Sequence, residues 1–295
     1  MDHWAEFANT IKLRMLVRLS NTNQTSYITE QIASINANGM GYLAVNASSN
    51  PGYTNSADKQ SPFWDYFVLP VTGVQQNRGD YTVASEHAMA FLTNSSDPRR
   101  ERLYKPALTG GAYKGAVQST VLPGTGFTSN DLSKVGPGLL VAATQNQIIM
   151  PLAETLFIQA EATARGYLPG GDAAAKVLYE KGIVASFTQL GVATPATAAA
   201  TYYGQSLINV NWASSPNKID AIMTQKWVAL NGTASIESWI DLTRTGFPAG
   251  LPIPAESGGQ RPVRLLYPAS EVSRNANNVP TQGVSDVFTN NPFWK

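Results

Sequence analysis

Trp64, Asp65 and Tyr66 stand side by side in a stretch that also carries Tyr42, Tyr53, Tyr81 and Tyr113. Asn46, Asn50, Asn55 and Asn77 lie between them. Flat aromatic faces stack on C–H-rich sugar rings, while amides and carboxylates exchange hydrogen bonds with hydroxyls. The pattern points to binding of a neutral polar ligand. The ligand-contact set it nominates is Trp64, Asp65, Tyr66, Asn77, Tyr81 and Tyr113. If residues 63–69 are extended, Trp64 and Tyr66 share one face, two positions apart. The plainer alternative is that these rings are ordinary packing, as single aromatics more often are.

Other chemistries find less support. Glycoside hydrolysis needs two carboxylates about 5 to 9.5 Å apart across a cleft. Asp65, Asp80, Glu86, Glu154 and Glu161 are available, but no spacing pairs them. The two histidines, His3 and His87, are far apart, and neither belongs to an HExxH motif. There is no G-x-S-x-G elbow to hold a catalytic serine. Gly124-Thr125-Gly126 and Gly136-Pro137-Gly138 lack the third glycine of a dinucleotide loop and read as turns. No cofactor is expected. A structural calcium site built from scattered carboxylates and carbonyls would leave no sequence motif. A net charge of +1 with no basic stripe removes the electrostatic footprint of a nucleic-acid binder. The absence of cysteine excludes disulfides and thiolate chemistry. Only 14% of residues are charged, against roughly a quarter in typical domains, so Asn, Ser, Thr and Gly supply most of the polarity.

Helical segments are expected on either side of the aromatic stretch. Trp4, Phe7, Ala8, Ile11, Met15 and Leu19 recur at helical spacing and predict an amphipathic helix with that stripe as its apolar face. Residues 26–37 predict a second helix. From 40 to 147, Gly, Pro, Asn and Ser punctuate short apolar bursts. This region is expected to be loop-rich with some short strands and a short helix near 85–92. A loop region of this length is uncommon unless it carries function. Helices return at 151–165, 171–190, 195–208 and 219–230. After Pro248, six prolines forbid long helices. The expected fold is mainly α, with tetratricopeptide-like helical hairpins at 1–39 and 148–246, a loop-rich insert at 40–147, and an irregular segment at 247–295.

Residues 225–248 place a short turn between two helical segments, with Trp227 and Trp239 on their apolar faces and Gly246 and Pro248 as the stop. Glu237, Asp241 and Arg244 can share one helix face. A structural role is expected for them, and Glu161 with Arg165 is expected to form a local ion pair. This stretch resembles the C-terminal signature of the SusD/RagB family, the cell-surface nutrient-binding lipoproteins of Bacteroidetes. Further pieces carry the resemblance. They are Trp4 to Ser20, Asp97-Pro98-Arg99, Tyr113-Lys114-Gly115, Ala160-Glu161-Ala162 with Arg165-Gly166, Tyr179 to Ser186, and Arg261 to Pro268 with Glu271 and Asn275. They follow one another in the family's order. Thr243 departs from the pattern, standing where many members have a second Arg.

The resemblance implies four tetratricopeptide-like units supporting a loop-rich ligand-binding region, and a non-enzymatic role. It implies a lipid-anchored position on the outer-membrane surface, an oligosaccharide ligand, and a SusC-like TonB-dependent transporter as partner. Some members bind peptides instead. Members are longer and begin with a signal peptide and a lipidated cysteine, so the chain is expected to match their C-terminal portion. A peptide binder, a glycoside hydrolase and a helical-repeat scaffold with no small ligand remain as alternatives at this point.

Overall fold

The protein is described by a computed structural model covering residues 1–69, 72–118, 128–283 and 285–295. Helix α1 runs Asp2–Arg18 and α2 Thr25–Ala37. They bury Leu13, Leu16 and Val17 against Ile28, Ile32 and Ile35. The expected stripe of α1 is only partly buried: Phe7, Ile11 and Leu19 pack against this cluster, while Trp4, Ala8 and Met15 stay exposed. Trp4 is 73% exposed and Met15 60% exposed, and the buried face is rotated away from both. Polar anchoring explains the choice. Asn9 and Thr10, both buried, sit on the inward face. The Asn9 amide donates to the Asn38 side chain and to the Gly41 carbonyl, and the Thr10 hydroxyl accepts from the Leu43 amide at 3.0 Å. Turned outward, α1 would lose those bonds and bury Lys12 instead.

Strand β1 (Ala47–Ser49) follows, then α3 (Pro62–Phe67), α4 (Asn77–Tyr81), α5 (Glu86–Asn94) and α6 (Arg100–Leu103). Strand β2 (Gln147–Met150) pairs antiparallel with β1, setting Ala47 opposite Met150 and Ser49 opposite Gln147. That pairing draws the two ends of the intervening stretch together. Between them the chain makes short helices joined by isolated bridges, Val83 to Lys134, Ser85 to Ala116 and Tyr104 to Val135. Gly115, from the Tyr-Lys-Gly motif, is dictated by one of these. A Cβ there would lie 2.3 Å from the Ser85 carbonyl carbon. The region packs onto the helices through Ala84, Met89, Leu92, Leu103, Leu139, Leu190 and Val228.

Helices α7 (Leu152–Ala164), α8 (Gly171–Gln189), α9 (Pro195–Tyr203), α10 (Lys218–Leu230) and α11 (Ser235–Thr245) form the principal helical body. Phe157, Tyr179, Ile183, Phe187, Tyr202, Trp212 and Ile222 make its core. Gly182 allows α7 and α8 to approach, because a Cβ there would stand 2.8 Å from the Phe157 ring. Gly246, at φ 76°, ends α11, a conformation that only glycine adopts without penalty. Beyond it the described residues form a 3-10 turn at Ala255–Ser257 and the short helices α12 (Ala269–Arg274) and α13 (Asp286–Thr289). The mainly α expectation holds. Among the described residues the one sheet is the β1–β2 pair, and no helix is long and apolar enough to cross a membrane.

Candidate functional site

The Trp64–Tyr66 segment is helical, not extended, and this corrects the shared-face reading. Pro62 stands in the first turn of α3, where its fixed φ suits a helix start, and among the described residues no neighbouring strand offers residues 63–67 a ladder. At about 100° per residue, positions 64 and 66 diverge around the helix. Trp64 turns inward and lines a cleft of about 180 Å³ with Phe67, Gln75, Lys105 and Lys134. Tyr66 stays 48% exposed, with the Arg78 guanidinium 4.7 Å above its ring. Asp65 is half-buried, and its carbonyl accepts from the Gln76 amide.

Helix α4 packs on α3 and brings three more residues into the same neighbourhood. Asn77 opens it and is exposed, Asp80 receives the Lys134 ammonium at 2.6 Å, and Tyr81 is 80% exposed. Five of the six nominated residues therefore belong to two touching helices. Tyr113 differs. Its ring is half-buried against the core beneath α5 and α6, with Arg100 stacked over it at 4.6 Å. Packing already occupies that ring.

A second ring-bearing cleft, of about 320 Å³, opens between α10 and α11. Trp227, Trp239, Tyr104, Asn231, Ser235 and Ser238 line it. The two clefts are joined through the bridges: Val83 and Tyr104 line this one, while their partners Lys134 and Val135 line the other. Sequence reasoning assigned Trp227 and Trp239 to apolar packing. The signal it passed over is the interleaving of Asn231, Ser235 and Ser238 with two tryptophans within one helix–turn–helix.

The structure also holds two buried ionic networks, and neither was legible as such in the sequence. In the first, the Arg244 guanidinium donates to both Glu161 oxygens at 2.7 and 2.8 Å and to Asp241 at 3.0 Å. Arg165 also reaches Glu161, and Lys226 reaches Asp241 at 2.7 Å. Arg14 bridges Glu154 and Glu237, and Arg18 pairs with Glu237. The network ties α1, α7, α10 and α11 together. The expected local Glu161–Arg165 pair is thus one edge of a buried assembly, with Glu161 only 1% exposed. Thr243, at the departure from the family pattern, has a buried hydroxyl without a hydrogen-bond partner among the described residues.

Burial alone would push the Asp241 carboxyl up, but Lys226 and Arg244 overcome it and bring it from 3.8 down to about 2. A depressed carboxylate stabilises the fold above its unfolded value and loses that contribution as pH falls through the folded one. Unfolding free energy is therefore expected to drop by about 2 kcal/mol from this group between pH 4 and pH 2. Urea titrations across that interval should show the drop, and Asp241→Asn should flatten it.

The second network explains the Asp97-Pro98-Arg99 motif. Arg99 is fully buried and clamps Asp97 through Nε and Nη2, at 3.0 and 2.6 Å. It also donates to Ser186 and Gln225, and its guanidinium lies about 5 Å from the Phe187 ring. Burial disfavours the charged guanidinium, yet Asp97 more than compensates and raises its pKa.

A family model described as "Starch-binding associating with outer membrane", SusD-like_2, matches residues 1–268. The chain belongs to this SusD-like family. A solved chitin-binding protein superposes with a TM-score of 0.71 at 24% identity, covering 94% of this chain and 60% of its own. A SusD homolog from Bacteroides vulgatus ATCC 8482 gives 0.73 at 24% identity, with coverages of 93% and 58%. Another from Bacteroides fragilis NCTC 9343 gives 0.72 at 22%, with coverages of 94% and 62%. At this identity the likeness is one of fold. The SusD-like chain spans about three fifths of the length of these structures. No curated protein matches it.

Proposed function

We propose that this SusD-like chain captures oligosaccharides without altering them, at the α3–α4 surface, and passes them to a SusC-like TonB-dependent transporter. The full protein would face outward on the outer membrane, held by a lipid anchor. The observation that carries the binding reading is the exposure of the Tyr66 and Tyr81 rings on two adjoining short helices, the first of which also turns Trp64 into a neighbouring cleft. Rings left in water contribute little to folding, whereas a sugar face covers them and gains dispersion and burial. Asn77 and Asp65 supply acceptors, and Asn77 also donors, for hydroxyls around those rings.

The non-catalytic reading is supported by how most of the candidate carboxylates are engaged, with Asp65 and Glu86 the two that form no ion pair among the described residues. Glu154, Glu161, Glu237 and Asp241 are neutralised by Arg14, Arg18, Arg165, Lys226 and Arg244, and Asp80 by Lys134. A hydrolase needs one carboxyl held protonated and a second free to act.

Calorimetry with maltooligosaccharides and chitooligosaccharides tests the proposal. Trp64→Ala and Tyr81→Ala are each expected to weaken binding on the order of tenfold. Affinities unchanged in both variants would remove α3–α4 from the site. Saturable binding of oligopeptides with none of either glycan would select a peptide ligand. Release of reducing ends by the purified protein would overturn the non-catalytic reading.

A further inference from the structure

We infer that the cleft between α10 and α11 is a second saccharide subsite, built around Trp227 and Trp239 and distinct from the α3–α4 surface. It goes beyond the proposed function, because it concerns residues that the α3–α4 reading does not use. Three observations converge on it.

The first is the ring pair. Trp227 and Trp239 are the largest side chains lining the cleft, and both remain half-buried rather than sealed. Trp227 is held firmly from behind. The His87 and Phe91 rings meet it in edge-on contacts at 5.7 and 5.9 Å. An indole fixed in this way loses little rotational freedom when a ligand stacks on it. Its fixed position also argues that the exposed part of Trp227 is maintained by its neighbours.

The second is the polar lining. Asn231 donates to the Tyr104 hydroxyl at 2.7 Å, which orients both groups at the cleft wall. Among the described residues the amide oxygen of Asn231 and the phenolic hydrogen of Tyr104 make no other side-chain hydrogen bond. Ser235 and Ser238 add hydroxyls from the first turn of α11. The Ser238 hydroxyl oxygen is buried and has no hydrogen-bond partner among the described residues.

The third is the absence of charge from the lining. Among the described residues, those that line the cleft carry no carboxylate, ammonium or guanidinium. Indoles with neutral donors and acceptors suit a sugar and disfavour an anion, a cation or a peptide terminus. A volume of about 320 Å³ accommodates one to two pyranose rings.

The experiment uses the full chain labelled with 5-fluorotryptophan, whose six fluorine resonances are assigned by single Trp→Phe variants. Maltoheptaose and chitohexaose are the probes. The expected result is saturable movement of the Trp227 and Trp239 resonances, retained in Trp64→Ala. Ser238→Val, which fills the cleft wall with two methyl groups, should weaken that movement at least tenfold and leave the Trp64 response intact. If Ser238→Val fails to fold by circular dichroism, Ser235→Leu at the exposed rim serves the same purpose. Movement of Trp64 alone, with Trp227 and Trp239 still, would overturn the second subsite and leave the α3–α4 proposal standing. Movement of Trp227 and Trp239 alone would do the reverse. Silence of all three with both probes would overturn both. Movement of Trp227 and Trp239 that disappears in Trp64→Ala would show transmission from α3–α4 and overturn an independent subsite.

Discussion

Glu161→Ala is expected to destabilise the fold by about 3–5 kcal/mol. The carboxylate accepts from both terminal nitrogens of Arg244 and from Arg165, and it is almost fully enclosed. Removing it leaves the Arg244 guanidinium buried with Asp241 as its remaining acidic partner, 3.0 Å away. The penalty comes from the stranded cation rather than from the worth of the pair itself. Continuum arguments place a well-packed apolar replacement of a whole buried pair near neutrality. Equilibrium urea unfolding measures the effect. A loss below about 1 kcal/mol would mean that water or side-chain relaxation relieves Arg244, and that the network is weaker than its geometry indicates. Because the network joins α1 to α11 through α7, the loss should also raise amide exchange at the α1–α7 contact, far in sequence from the substitution.

Arg99→Met should cost a similar amount, about 3–5 kcal/mol, for the mirror-image reason. Methionine fills much of the volume and keeps contact with Phe187 and Tyr202, so little of the cost comes from a cavity. What remains is Asp97, buried, with its carboxylate accepting from the residue-99 backbone amide but deprived of its cation. The double substitution Asp97→Asn with Arg99→Met should recover most of the loss, because no buried charge is then left unpaired. A double variant no more stable than Arg99→Met alone would instead assign the cost to Ser186 and Gln225, which lose their donor in both.

These two networks mark where sequence reading stopped. The longer helices were legible, although the one expected at 195–208 ends at Tyr203 and α3 and α4 were not foreseen. The expected helices at 151–165, 171–190 and 219–230 correspond to α7, α8 and α10 within a residue or two, because helical periodicity and caps are local properties. The family was legible too, since its motifs are short, ordered strings. The face that a helix buries was not. The chain of α1 is apolar on two sides, and Asn38, Gly41 and Leu43 on the following segment decide between them. The partnership of Glu161 with Arg244 spans 83 positions, beyond the reach of any i, i+4 rule.

The candidate site divides along the same line. Tyr66, Asn77 and Tyr81 were nominated from residue type, and the structure sets them on the surface of two adjoining helices. Trp64 was nominated for the same reason, yet a helical backbone turns it into a cleft. Tyr113 was nominated alike, and Arg100 and the core claim its ring. Residue type states what a side chain is able to do, and only its neighbours decide whether it remains free to do it. For this protein the sequence alone determined the long helices α7, α8 and α10, the neutral polar character and the family, because each follows from nearest neighbours or from composition. The buried face of α1, the ion-paired anchoring of α11 and the tryptophan cleft were decided by contacts between segments tens to hundreds of residues apart. Such contacts form only when burial of apolar surface brings those segments together.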